Sequence, residues 1–274
     1  MLKSLIPVSL SIASGFLFLA GDAKPSMSQV LTEPSAPPTV LTTIPVRPTL
    51  PPVVMRSLLQ QVSKETRTPI NQLKVTESNP VTFDGCMGIY RPNQACTKIA
   101  ISGWKSIVTG PRQTWVYHLN SNASKIIRNT TASGAGRKIR VSFELFGGNV
   151  ADVNPNVVFQ SSLSGDLTGR TTIVQLTTDR KLTRFMFGPT IKKAPVVLKT
   201  LTPEQFNAFK QRVERNQFPN LNGLSYLTSA ALADYPTTTY QMQWGTTQFI
   251  DLEKKQLPRS LQMIIQDWER LMKS

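Results

Sequence analysis

The chain of 274 residues holds one histidine and two cysteines. A single histidine, His118, excludes every two-histidine metal motif, including the zinc-protease helix signature. It also leaves His118 as the one imidazole that could serve a serine or cysteine triad. No nucleophile-elbow pattern accompanies it, and its place in QTWVYHLN beside Val116 reads as a surface-facing strand histidine. Acidic residues are also scarce, 16 against 31 lysines and arginines, giving a net charge of +15. A glycosidase-like carboxylate pair does not stand out. Glu77 and Asp84 flank Pro80 and could share a pocket, but an Asp-Gly turn entry explains Asp84 more simply. SLSGDLTGR lacks the lysine of a phosphate-binding loop and the dinucleotide-binding glycine spacing, so it reads as a loop between strands. No enzymatic activity, cofactor or metal is expected.

A second long apolar run is also missing. The first, Leu5–Ala20, comes after Lys3 and precedes Gly21-Asp22-Ala23. That three-part layout predicts a signal peptide over 1–23, cleaved after Ala23. The alternative is an uncleaved anchor, since the run approaches spanning length. Pro25, Pro34, Pro37, Pro38, Pro45, Pro48, Pro51 and Pro52 punctuate the next segment, and 24–51 reads as an extended linker. The same stretch could alternatively serve a proline-recognising domain. The leader implies a secreted, periplasmic or cell-envelope location.

The basic charge is spread evenly, with ten basic against three acidic residues in 52–131 and eighteen against eleven in 132–274. A nucleic-acid reader concentrates its basic residues, so no specific nucleic-acid partner is expected. A uniformly basic exported protein instead meets an acidic envelope polymer or an acidic partner.

Periodicity divides the rest into two α+β units, each an antiparallel sheet with one or two packed helices. The first, 52–131, opens with a helix whose stripe is Val54, Leu58, Leu59 and Val62. Strands then come in QLKVTES, KIAISGWKSIVTG, QTWVYHLN and SKIIRN. Ser133-Gly134-Ala135-Gly136 marks the boundary. The second unit, 138–274, has strands in VVFQSS, RTTIVQLT and KLTRFMF, then a helix opened by Thr202-Pro203-Glu204-Gln205. Phe206, Phe209 and Val213 form its buried stripe. A hairpin turns at Trp244-Gly245, and a last helix places Leu261, Ile264, Ile265, Trp268, Leu271 and Met272 on one face. Asn122-Ala-Ser and Asn129-Thr-Thr match the glycosylation acceptor pattern.

Both cysteines lie in DGCMGIYRPNQAC, with nine residues between Cys86 and Cys96. That spacing fits neither a redox Cys-x-x-Cys nor a zinc finger, and an exported chain keeps disulfides. An intraloop bridge is predicted, with Arg91-Pro92-Asn93 as a rigid turn tip and Ile89-Tyr90 as contacts toward the sheet or a partner.

The order of landmarks in the second unit resembles the emfourin family, small inhibitors of thermolysin-like metalloproteases. The landmarks are Ser162-Leu163-Ser164-Gly165 with Leu167-Thr168-Gly169, Leu201–Gln205, Gln217–Leu221, Asp234–Thr237 and Leu257–Leu261. Asp166 and Leu167 replace a glycine and a phenylalanine usual in that family's loop. The resemblance implies a secreted metallopeptidase as partner and a binding loop made of Ser164, Gly165, Asp166, Leu167, Thr168 and Gly169. The first unit resembles a module of exported cyanobacterial proteins of unassigned role. Its Gly103-Trp104 and Trp115-Val116-Tyr117 strand pair is similar to PepSY-type domains, which accompany protease propeptides. The expected function is therefore protein binding, with peptidase inhibition as its specific form; a basic envelope or adhesion module is the alternative.

Overall fold

The structure, a computed structural model, describes residues 49–143, 154–165, 167–189, 194–228 and 235–273. The leader over 1–23 and all but the last residues of the linker lie outside the described residues. The fold is α+β, with antiparallel sheets and few helices.

Helix α1 (Pro52–Thr66) begins with proline in its first turn and ends at Arg67, whose left-handed φ of 56° stops it. Its apolar spacing buries Val54, Leu58 and Val62. The stripe lies on Val108, Trp115, Tyr117 and Leu119 of the first sheet and on Leu73 just before it. Leu50, just before the helix, is buried in the same cluster. Tyr117 seals this layer by donating from its hydroxyl to Glu65 Oε2 at 2.8 Å.

That sheet comprises β1 (Lys74–Phe83), β2 (Ile101–Thr109), β3 (Gln113–Asn120) and β4 (Ile126–Asn129) in sequence order, with β5 (Ala135–Gly136) paired to β3. The alternation expected in β3 is present, yet both its faces are covered. Trp115, Tyr117 and Leu119 meet α1, while Val116 and Ile107 of β2 join a second, larger core. His118 shares that opposite face and is only 2% exposed, so the surface-facing expectation is corrected. Strand periodicity shows which residues share a face, and other parts of the chain decide whether that face meets water.

The larger core belongs to an eight-stranded sheet. In chain order its strands are β6 (Arg140–Phe143), β7 (Val157–Ser164), β8 (Thr171–Thr177), β9 (Lys181–Phe187), β10 (Val196–Thr200), β11 (Leu224–Leu227), β12 (Thr237–Met242) and β13 (Gly245–Ile250). The spatial order is β10-β9-β8-β7-β12-β13-β11-β6, antiparallel throughout except for the parallel pair β11–β13. Between β10 and β11 runs α2 (Pro203–Arg215), opened by the expected capping box: Gln205 N donates to Thr202 Oγ1, and Thr202 N to Gln205 Oε1. Helix α3 (Arg259–Lys273) closes the chain.

Phe159 of β7 sits at the centre, with the rings of Phe209, Phe218, Tyr240 and Trp268 all 4.9–5.5 Å from its own. Phe209 and Trp268 come from α2 and α3, so one aromatic cluster fixes both helices to the sheet. Phe206 and Met272, expected on the buried stripes, lie at their margins: Phe206 is half-buried and Met272 is 36% exposed. The helices are also joined by charge. Asp267, buried on α3, lies 3.2 Å from Arg212 Nε, at an angle too poor for a hydrogen bond, and 3.5 Å from Arg270 Nη1.

Trp268 is fully buried. Trp268→Ala is expected to cost about 3–5 kcal/mol of stability, as large-to-small changes in a packed core do. Urea unfolding of the variant beside the parent measures this, and an unchanged midpoint would contradict it.

Candidate functional site

The loop that links β1 to β2 is held at several points. Asp84 Oδ1 accepts from the amides of Cys86 and Gly88, each at 3.1 Å, an Asx-type turn entry. Gly85 N donates to Thr97 O at 2.9 Å across the neck of the loop. Cys86 and Cys96 form the expected disulfide. Asp84 lies close to both sulfurs, but each sulfur is bonded to the other and offers no thiolate to a metal. The chain-entropy view assigns a bridge of this loop length about 3 kcal/mol. At the tip, Gln94 N donates to Arg91 O, and Asn93 takes the left-handed region with φ of 60°.

Beneath the loop, His118 Nδ1 lies 2.6 Å from Met87 O, and its ring stacks on Phe83 at 5.1 Å. A carbonyl can only accept, so Nδ1 carries the proton. Burial, then the nearby Lys105 charge, lowers the imidazole pKa to about 4, against the opposing pull of Met87 O. Gly88 passes so close to Phe83 that a Cβ there would lie 3.0 Å from the ring, in a backbone with φ of +64°.

The other anchor is Asn220, in the 3-10 turn Phe218–Leu221 that comes after α2. Its Oδ1 accepts from Tyr90 N at 2.7 Å and its Nδ2 donates to Tyr90 O at 2.9 Å. One side-chain amide thus pairs with one residue's backbone as a neighbouring strand would. Asn220 Nδ2 also reaches Gln217 Oε1, and Asn220 O accepts from Asn129 Nδ2 at 2.8 Å. Asn129 is therefore buried, and its acceptor pattern is used structurally in the fold. Asn122, in the other such pattern, is exposed.

Fixing the Tyr90 backbone leaves its ring 43% exposed. Across from it Trp244, at the β12–β13 turn, is 66% exposed. Two cavities meet at these rings. The first, about 390 Å³, is walled by Tyr90, Pro92, Val158, Val213, Met242 and Trp244, with Lys210 and Glu214 at its margin. The second, about 490 Å³, continues past Tyr90, Pro219 and Trp244 to Phe83, Asp84, Lys105 and Asn222. Burial first, and then the nearby Asp84 carboxylate, raises the pKa of the Tyr90 phenol. Burial lowers the Lys105 pKa. The arrangement is an apolar cleft with aromatic lips and a few polar groups, the usual composition of a recognition site.

The loop expected to bind partners lies elsewhere. Ser164 ends β7, Gly165 has φ of +91°, and Asp166 lies outside the described residues. Leu167 is 87% exposed, and Arg170 Nε donates to Thr168 Oγ1 at 2.7 Å before β8 begins. Leu163, Ser164 and Arg170 line a cavity of about 160 Å³ with Met186 and Pro236. Of the loop's described residues, none lines the aromatic cleft. Glu77 and Asp84 likewise part company: Asp84 lines the cleft, while Glu77 accepts from Phe143 N at 2.9 Å in another cavity. Sequence reasoning missed Trp244 and Asn220 as site residues. Trp244 did carry a signal, since a tryptophan at a hairpin tip cannot be buried by its own hairpin.

Residues 55–127, from α1 into β4, match a family described as a domain of unknown function (DUF8738). No curated protein and no solved structure matches the chain. Among the described residues no helix is long and apolar enough to cross a membrane.

Two outcomes are expected. Asn220→Ala leaves the part-buried amide and carbonyl of Tyr90 without their partner, and should cost about 1–3 kcal/mol and raise protease sensitivity at Arg91. An unchanged unfolding midpoint and cleavage rate would contradict the anchor. His118, the sole histidine, gives one resonance to follow by NMR. It should titrate near 4 rather than 6.5. The native state then resists a proton that the unfolded chain accepts. Stability is full above pH ~6.5 and falls as pH drops toward ~4, by up to about 3 kcal/mol. A midpoint near 6.5 would refute the burial-driven shift.

Proposed function

We propose that the chain is an exported, non-catalytic protein-recognition protein that seats an apolar side chain of its partner between Tyr90 and Trp244. The observation that carries this reading is the placement of two exposed aromatics over an apolar cleft, one of them, Tyr90, with its backbone held by Asn220. Aromatic anchors that are already fixed lose little side-chain entropy on binding, and they supply most of the energy in protein interfaces. The burial of His118, with Nδ1 committed to Met87 O, supports the absence of catalysis.

The specific form of the proposal is inhibition of a secreted thermolysin-like metallopeptidase, with the loop from Ser164 to Gly169 as leading edge. Leu167, 87% exposed between two strands of a large sheet, supports it. A loop that connects two strands of a sheet projects from the surface and can reach into a partner's groove.

The protein should be incubated with a panel of thermolysin-like metallopeptidases and residual activity measured. Inhibition at micromolar excess is expected. It should weaken by about tenfold or more in Tyr90→Ala/Trp244→Ala if the cleft holds the partner. Leu167→Asp should abolish it if the loop leads. Absence of both complex formation and inhibition across the panel would overturn the peptidase form. Full inhibition by the cleft variant would overturn the role of the aromatic pair.

A further inference from the structure

The largest cavity among those described, about 840 Å³, lies at the seam between the two sheets and plays no part in partner recognition by the aromatic pair. Lys74 from β1 lines it, with Arg137, Lys138 and Arg140 from the link between β5 and β6 and the start of β6. Four cations thus converge from two sheets on one trough, against a single lining carboxylate, Glu77.

Glu77 is already engaged, since its Oε2 accepts from Phe143 N. Lys138 is paired with Glu253 at 2.8 Å. Among the described residues no carboxylate lies within ion-pair distance of Lys74, Arg137 or Arg140. Lys74, Arg137 and Arg140, all exposed, therefore line the trough without a counter-charge from the described chain. At its wall the buried Thr228 hydroxyl has no hydrogen-bond partner among the described residues. Like charges gathered this way repel one another unless an anion joins them.

We propose that this seam is a binding site for a polyvalent anion of the phosphate class. A single carboxylate would neutralise only one of the three unmatched heads. A phosphate-bearing ligand brings several charges and the oxygen pairs that a guanidinium fork takes two at a time. The volume admits a ligand of several phosphate units. Because its walls come from both sheets, the site exists only when β1 and β6 are held side by side. It is separate from the aromatic cleft and does not depend on the protein-recognition reading.

The test is titration calorimetry of the full chain with tripolyphosphate and with a glycerol-phosphate oligomer, at about 0.15 M salt to suppress diffuse attraction. One site per chain is expected. Arg137→Gln/Arg140→Gln should weaken binding about tenfold or more, and Arg137→Lys/Arg140→Lys by less, since it keeps charge but loses the forks. Arg56→Gln/Lys64→Gln, on the exposed side of α1, removes the same charge and should change affinity less than about twofold. Tighter binding of the oligomer assigns a phosphodiester polymer as the source, and tighter tripolyphosphate assigns a free phosphate ion. Equal weakening by the α1 pair, or no binding of either probe to the parent, would overturn the proposal. Unfolding curves of each variant separate lost binding from lost folding.

Discussion

A single side-chain amide, that of Asn220, settles where the stapled loop goes. By pairing with both the amide and the carbonyl of Tyr90, it presents the loop with a one-residue imitation of a neighbouring strand. The disulfide makes the loop compact but does not say where it lies. Asn220 supplies that position at Tyr90, as His118 does at Met87, and Asn129 and Gln217 hold Asn220 in turn. The cleft results from this chain of constraints: Tyr90 can face Trp244 because its backbone has already been satisfied on the opposite side. Buried amides of this kind are costly to leave unmatched, which makes them effective locators.

Much of the local structure is legible in the residue pattern. The stripes of α1 and α3, apart from the marginal Leu59 and Met272, the capping box of α2, the β12–β13 hairpin and the cysteine bridge all rest on interactions close in sequence and take the expected form. Strands β6, β10 and β11 do not announce themselves. They are only four or five residues long, too short for alternation to stand out, and β6 and β11 gain their place by pairing with strands distant in sequence.

The site is less legible for the same reason. His118 reads as a surface residue because nothing in QTWVYHLN reveals that Met87 and Phe83 will cover it. Asn220 sits in a stretch that draws notice for its phenylalanine and leucine, while its function depends on a backbone 130 positions away. The seam cavity is similar. Three of its cations, Arg137, Lys138 and Arg140, are near neighbours in sequence, but Lys74 and Glu77 join them only once β1 and β6 lie together.

The pairing of β6 with β11 has a consequence for how the molecule assembles. Arg140 finds its partner at Leu227, and β7 finds β12 only after a comparable stretch of intervening chain. The large sheet pairs successive strands from β7 to β10 and at β12–β13, but its halves are joined by β7–β12 and its edge is closed by β11–β6, both distant in sequence, whereas β1 to β4 form by successive pairings alone. Loop-closure entropy must be met before such distant pairings return any energy, so topologies of this kind fold slowly. The pairings within the first sheet are local and do not wait for the second, but its stapled loop takes its place only when Asn220 arrives. The seam between β1 and β6, like the aromatic cleft, therefore exists only once these distant pairings are made.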